Sequence, residues 1–250
     1  MIIDRWSGHC WDYYLQNREA ESINPALNHL FGIIKNQYQL RPKVVEANNK
    51  FNKPTIKAIF TQRFIKVEPS APNTPAQNRG AERSGGVIAE KIRAMRAGAK
   101  LPAVLWPEIS KAAVYLHNRI PRYGYNWRTP YNRFHTYLAH RDGIVIETRK
   151  PDQTHLRAYS CKAFALTPNA QKGVYNKLKD LPRWNPKLEP RAWIGYLVGY
   201  SLSNIYRIWN PITNRVISVR DVVFNEKEIF NRDIQALKNN CLHFQLDELN

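Results

Sequence analysis

The first half of the chain alternates short apolar runs with stretches whose apolar residues recur every three or four positions. The helical spacing predicts amphipathic helices, and the short runs between them predict strands. Strands that alternate with helices are typical of an α/β sheet. We expect helices over residues 19–37, 54–64 and 101–118, and strands within 1–17, 43–47 and 65–67. The stretch 76–96 is expected to begin as loop and to become a helix.

The second half changes character from Leu156 onward. Its apolar residues alternate or run together without helical spacing, and turn residues such as Asn210 and Pro211 separate the runs. This pattern favours a small all-β barrel. Four strands are predicted, over residues 156–166, 192–200, 205–210 and 216–224.

Positive charge adds a candidate partner to this picture. Basic residues outnumber acidic ones by 38 to 20, which gives a formal net charge of +18. Residues 79–150 alone hold 14 basic and 5 acidic side chains, a net of +9 (14 − 5). Charge concentrated in this way favours nucleic acid as a partner. Between 122 and 150 aromatic residues are interleaved with basic ones, and such rings either stack on bases or pack on a domain surface.

The three cysteines, Cys10, Cys161 and Cys241, are far apart and odd in number. They suit neither a disulfide framework nor a zinc site, so we expect a reducing compartment inside the cell, nucleus or cytoplasm. No apolar run is long enough to predict a membrane span, and the first residues lack a signal-peptide pattern.

Segment 76–96 carries one acid near its start, Glu82, among arginines. It resembles the third catalytic motif of integrases from copia-type LTR retrotransposons, in which a proline-rich loop leads into Gln-Asn-Gly and then Ala-Glu-Arg. The likeness continues through 101–119 and resumes over 193–224, where it is to the SH3-like barrel beyond the integrase core. The matching positions in the motif are Pro72, Thr74, Pro75, Gln77, Asn78, Ala81, Glu82 and Arg83.

The resemblance implies both a fold and a chemistry. In the family, the glutamate at the position of Glu82 is the last acid of an Asp-Asp-Glu triad, which holds two Mg²⁺ or Mn²⁺ ions for DNA strand transfer. An RNase H-like core is expected to carry this triad. The implied partners are DNA and, as a second nucleic acid, RNA, and the chain is expected to form homo-oligomers.

The rest of the triad is not found at its expected places. Asn48 stands at the second aspartate position, where it offers a neutral carbonyl to a metal that prefers an anion, and Lys50 replaces an acid beside it. The first aspartate would lie upstream of a hairpin turn that begins at Asp4, only three residues from the start. We therefore expect an incomplete N-terminal sheet, with Glu82 as a remnant that binds no metal productively.

Glu46 is a rival for the second acid, because 35 residues separate it from Glu82 (82 − 46 − 1). The motif alignment favours Asn48. Two glycines of the family are also replaced, by Arg79 and by Ser160. These departures are interpreted as those of a decaying retroelement copy translated from an internal methionine.

The predicted fold class is α/β plus all-β, an N-terminally truncated RNase H-like integrase core followed by a small SH3-like β-barrel. The predicted regions are a partial core at 1–120, a basic aromatic linker at 121–153, the barrel at 154–230 and a polar tail at 231–250. The residues expected to contact nucleic acid are Arg79, Arg83, Lys91, Arg93, Lys100, Arg122 and Arg128.

Three functions fit the sequence. The first is an integrase fragment that binds nucleic acid without competent strand transfer. The second is an active metal-dependent nuclease or polynucleotidyl transferase that uses Glu82 with Glu46. The third is a nucleic-acid or protein interaction module that a host has retained for its basic surface.

Overall fold

A computed structural model describes residues 1–17, 19–47, 53–69, 75–145, 148–167 and 191–235, without the side chains of 69 and 75–83. The chain forms two compact units. The first consists of Met1–Ala89 and His117–Pro151, and the second of Glu90–Leu116 and Asp152–Asn250. The domain boundaries predicted at 120, 153 and 230 come from the family resemblance, whereas these two units are defined by spatial compactness. The boundaries therefore stay predictions.

The first unit contains the predicted alternation of strands and helices. Helix α1, Ala20–Tyr38, is followed by strand β3, Val44–Ala47, helix α2, Pro54–Gln62, and strand β4, Lys66–Pro69. Strands β3 and β4 pair in parallel, as expected for a β-α-β connection. The apolar faces of both helices are buried together in one core, whose members are Ile23, Leu27, Phe31, Ile56, Ile59, Phe60 and Ile65.

The N-terminal hairpin is separate from this parallel pair. Strand β1, Ile2–Ile3, pairs with β2, Cys10–Trp11, so the residues described before position 70 form two sheets of two strands each. The expectation of an incomplete sheet is confirmed. The amide of Asn118 replaces a neighbouring strand: its Oδ1 accepts from Cys10 N at 2.9 Å and its Nδ2 donates to Cys10 O at 2.9 Å.

The region predicted as a linker contains helix α5, Pro130–Arg141. Thr129 caps the helix, because its side chain accepts a hydrogen bond from Asn132 N at 2.8 Å. Phe134 of α5 is buried and stacks on the imidazole of His9, with ring centroids 5.0 Å apart. Helix and hairpin therefore share an aromatic core within the first unit.

The second unit combines a sheet with parts of two helices. Helix α3, Pro75–Ala99, and helix α4, Trp106–Arg119, belong partly to each unit. The predicted stripe on α3 is confirmed, with Ile88 and Ala99 buried and Ile92 and Met95 half-buried. Helix α4 begins five residues later than predicted, after a short 3-10 turn at Ala103–Leu105.

The sheet has five antiparallel strands in the order β8-β7-β6-β5-β9. Their bounds are Cys161–Leu166 for β5, Ala192–Leu202 for β6, Ile205–Asn210 for β7, Arg215–Val219 for β8 and Val222–Ile229 for β9. The prediction of a single strand over 216–224 was wrong. The chain turns at Arg220 and Asp221, and β9 then pairs with β5.

The predicted closed barrel is also wrong for the strands described, since β8 and β9 are opposite edges of the sheet. Three peptide steps join Val219 to Val222, so the two edges lie within roughly 11 Å of each other at this corner. The sheet is therefore strongly curled but open in its hydrogen bonding.

Strand β5 begins at Cys161, five residues later than predicted. The preceding Ser160 has a φ of 65°, in the left-handed region that favours glycine, and this conformation ends the extended run. Ser160 is fully buried, and its hydroxyl donates to Ala99 O at 3.0 Å. This left-handed conformation is a physical reason for the glycine that copia-type integrases have at the position of Ser160.

One ion pair ties α4 to the sheet within the second unit. Arg207 on β7 donates from Nε to Glu108 Oε2 at 2.5 Å and from Nη2 to Oε1 at 2.8 Å. Burial alone would raise the pKa of Glu108, but the hydrogen bonds and charge of Arg207, with Lys111, lower it below its ordinary value.

Residues 168–190, between two of the predicted strands, and the part of the predicted tail beyond residue 235 lie outside the described residues. Within the described part, no helix combines the length and the apolar character that crossing a bilayer requires.

Candidate nucleic-acid interface

Four predicted site residues lie at positions where the structure gives no side-chain information. Asn48 is outside the described residues, and the side chains of Arg79, Glu82 and Arg83 are outside them too, although α3 includes their backbone. Their roles as remnant acid, substituted acid and nucleic-acid contacts therefore stay predictions.

The rival for the second acid, Glu46, is among the described residues. It lies on β3 directly across from Glu68 on β4, and each carboxylate has a cationic partner, Arg5 for Glu46 and Lys66 for Glu68. The role of Glu46 as a metal ligand beside Glu82 stays a prediction. Among the side chains described, no three His, Cys, Asp or Glu residues form a group that could hold a metal.

Asp4 has a structural role in the hairpin turn. Its Oδ2 accepts hydrogen bonds from Ser7 N at 2.8 Å and from Ser7 Oγ at 2.5 Å. An aspartate that accepts from a backbone amide three residues later is typical of a turn. This agrees with the expectation that a hairpin turn begins at Asp4.

The basic residues of α3 form the first candidate surface. Arg93, Arg96 and Lys100 are spaced by three and four residues, which places them on one side of the helix, and all three are exposed. Together with Arg232 they line a cavity of about 520 Å³, and none of the described residues that line it is acidic. The remaining lining residues are Ala97, Leu101, Pro102, Ala103, Phe230 and Ile234.

Arg232 is fixed at the rim of this cavity. It has a φ of 72°, and its Nε donates to Lys100 O at 3.3 Å. That bond brings a cation to the carboxyl end of α3, where the helix dipole favours positive charge. The arrangement places four cations around one concave surface, which suits an anionic ligand such as a phosphate group.

The sequence identified two of these four cations, Arg93 and Lys100, and missed Arg96 and Arg232. The spacing from 93 to 96 to 100 was a usable signal for Arg96. No local signal pointed to Arg232, which follows β9 and reaches α3 only through the fold. Lys91, also predicted, lies on α3 but does not line the cavity.

Arg122 and Arg128 form the second candidate surface, in the first unit. The two residues are joined by an isolated β-bridge, which closes the loop between them. Within this unit arginines stack on aromatic rings: Arg133 lies 4.0 Å from the ring centroid of Tyr125 and 4.8 Å from that of Trp6, and Arg122 lies 5.5 Å from Tyr125.

Burial and neighbouring cations together lower the pKa of two histidines in this unit. Burial, followed by the charges of Arg149 and Arg119, lowers the pKa of His135 to about 4. Burial, then His135, Arg119 and His117, lowers the pKa of His9 to about 3. Both imidazoles are held neutral, and neighbouring cations contribute to that effect.

Comparison with known proteins places this chain. Residues 161–238 match the family described as the retroviral polymerase SH3-like domain. Over 230 residues, 91% of the chain, it is 29% identical to the retrovirus-related Pol polyprotein from transposon TNT 1-94 of Nicotiana tabacum. It is 23% identical over 229 residues to the corresponding polyprotein from transposon RE2 of Arabidopsis thaliana.

This chain is similar to retrovirus-related Pol polyproteins of plant transposons. It spans 15% of the length of the tobacco polyprotein and 14% of the Arabidopsis one. Two solved structures show a distant likeness to this chain. One is the intasome of simian T-cell lymphotropic virus in complex with a PP2A regulatory subunit, at 12% identity and a TM-score of 0.46, covering 92% of this chain and 72% of that one. The other is the catalytic core domain of BIV integrase, at 16% identity and a TM-score of 0.43, covering 56% and 86%.

Proposed function

We propose that this Pol-related chain binds nucleic acid through its basic surfaces and does not carry out strand transfer. The observation that carries the proposal is the cavity at the end of α3, whose described lining residues include four cations and no acid. Guanidinium and ammonium groups without acidic partners at a concave surface favour a polyanion. DNA is the proposed partner, with RNA as a second nucleic acid that a phosphate-directed surface would also accept.

The absence of strand transfer is proposed from the acidic positions. Asn48 is neutral at the place where the resembling integrases have their second aspartate, and Glu46 is held by Arg5. Two-metal catalysis needs several carboxylates that converge on the ions. We also propose a nuclear or cytoplasmic location, from the cysteine pattern, and homo-oligomer formation, from the resemblance to integrases.

The binding proposal is tested by the salt dependence of affinity for a short DNA duplex. Replacing Arg93, Arg96 and Lys100 together by alanine removes up to three phosphate contacts, so the slope of log affinity against log salt should fall by up to about 3. A matched control, Lys35→Ala with Arg41→Ala and Lys57→Ala, removes the same charge from exposed positions in the first unit. Equal slopes for the two triple variants would contradict a role for the cavity.

The inactivity proposal is tested with Mg²⁺ and Mn²⁺ and a labelled DNA end. We expect no cleavage or joining above the level of a protein-free reaction. If the chain processes DNA and Glu82→Gln abolishes that activity, the proposal is overturned and the nuclease alternative stands.

A further inference from the structure

The loop at residues 122–128, here called the aromatic loop, is closed by its own backbone. Arg122 N donates to Arg128 O at 3.2 Å, and Trp127 N donates to Arg122 O at 3.0 Å. Inside it, Arg128 N donates to Tyr125 O and Asn126 N to Tyr123 O, each at 3.0 Å. A loop with this many internal hydrogen bonds presents its side chains in fixed directions.

The tip of the aromatic loop has an uncommon backbone. Asn126 and Trp127 are consecutive residues with φ values of 50° and 59°. Asparagine tolerates this left-handed region, but a bulky aromatic residue rarely adopts it. Strain of this kind persists where the surrounding structure enforces it, and it is concentrated at functional sites.

The strained residue is turned out to solvent. Trp127 is 68% exposed and Tyr123 is 82% exposed. Their ring centroids are 6.0 Å apart and their planes meet at 79°, so the two rings form a corner with open faces. Burial in a core therefore does not account for the tryptophan, because most of its surface is in contact with water.

The chain segment that carries this corner has charges of one sign. Arg128 is exposed beside Trp127, and the sequence has no acidic residue between Glu108 and Asp142. A nucleobase offers a π-face for the ring and carries a phosphate for the guanidinium. An apolar protein partner would use the rings but would leave the arginine unpaired.

We infer that the aromatic loop is a stacking site for an unpaired base of a nucleic acid. The base lies on the open face of Trp127, Tyr123 contacts its edge, and Arg128 binds the adjoining phosphate. A base inside a duplex has no free face, so the loop selects single-stranded segments or frayed ends. This inference rests on the proposed nucleic-acid binding and adds to it the kind of strand that is bound.

The test compares affinity for a fluorescent single-stranded 20-mer with affinity for the blunt duplex of the same sequence, by anisotropy at fixed salt. Trp127→Gly removes the ring and supplies the residue that a φ of 59° favours. We expect it to fold at least as stably as the parent chain and to bind the single strand roughly tenfold more weakly. Duplex affinity should change by less than about twofold, since a paired base cannot reach the ring.

Two variants serve as controls. Asn126→Gly relieves the neighbouring left-handed residue and keeps the ring, so single-strand affinity should be unchanged. Trp106→Ala removes a tryptophan that is 55% exposed in the second unit, and it should not alter the ratio of single-strand to duplex affinity.

The outcomes separate this inference from the function on which it rests. If the chain binds neither strand form, both are overturned. If it binds nucleic acid and Trp127→Gly leaves the single-strand preference unchanged, the proposed function stands and the stacking inference fails. An unchanged preference, or a lower melting temperature of Trp127→Gly, would mean that the tryptophan packs within the protein or contacts a protein partner.

Discussion

Ser160 combines an unfavourable backbone conformation with a favourable side-chain hydrogen bond. Its φ of 65° is unfavourable for any residue with a Cβ atom, while its hydroxyl satisfies the buried carbonyl of Ala99. Glycine would remove the backbone strain and lose the hydrogen bond. Alanine would lose the hydrogen bond and keep the strain.

We therefore predict that Ser160→Ala destabilises the second unit more than Ser160→Gly does, by about 1 kcal/mol. Urea unfolding of the two variants, followed by far-UV circular dichroism, measures the difference directly. Because both substitutions delete the same hydroxyl, each is the control for the other. Equal stabilities would mean that the left-handed conformation carries no strain at this site.

Elements with a local periodicity were predictable, and elements defined by distant partners were not. The helices α1 and α2 follow from apolar spacing, because each helix buries one stripe. The break between β8 and β9 was missed, because Val216 to Phe224 is apolar enough to continue as one strand. Only the pairing of β9 with β5, more than 50 positions away, shows where the chain turns.

The N-terminal hairpin depends in the same way on a residue far along the chain. Asn118 is 108 positions from Cys10 and satisfies both of its backbone groups. Removing the amide would delete the hydrogen bond that each of these two buried backbone groups makes with Asn118. A desolvated polar group costs about 1–3 kcal/mol when it loses its hydrogen bond.

We predict that Asn118→Ala destabilises the first unit by about 2–4 kcal/mol, and that the Cys10 amide exchanges with solvent much faster. Hydrogen exchange of the Met1–Asn17 peptide reports on the hairpin itself. Asn28→Ala, at an exposed position of α1, is the matched control and should change exchange at Cys10 little. Unaltered protection of Cys10 in the Asn118 variant would show that the hairpin does not depend on this amide.

At the scale of the molecule, the sequence identified the two parts of the fold and the sign of the charge. It did not identify which cations come together. Arg93 and Lys100 were found, while Arg96 and Arg232 complete their cavity through the fold. The interpretation of 121–153 as a linker likewise missed that Phe134 of α5 packs on His9, because that contact joins positions 125 residues apart (134 − 9).

The two units carry different titratable groups, so acid should affect them at different pH. In the first unit His9 and His135 have pKa values of about 3 and 4 when folded, below the ordinary 6.5. The unfolded chain then binds more protons than the folded one below pH 6.5. Stability is fully present above that pH and falls by up to about 1.4 kcal/mol per pH unit for each histidine until the folded pKa is reached. In the second unit the lowered pKa of Glu108 gives stability that is present above its ordinary value of 4.5 and is lost only as pH falls further.

We predict from this that the first unit loses stability between pH 7 and pH 5. Hydrogen exchange at pH 7, 6 and 5, corrected for the intrinsic rate and read for peptides of α1, measures the loss. The imidazole Nδ1 of His9 has no hydrogen-bond partner, so His9→Phe removes the titration without leaving a polar group unsatisfied, and it should weaken the pH dependence in α1. His140→Gln, at an exposed position of α5, should leave that dependence as it is. If protection in α1 falls with pH in the His9→Phe variant as steeply as in the parent chain, the titration of His9 is not its cause.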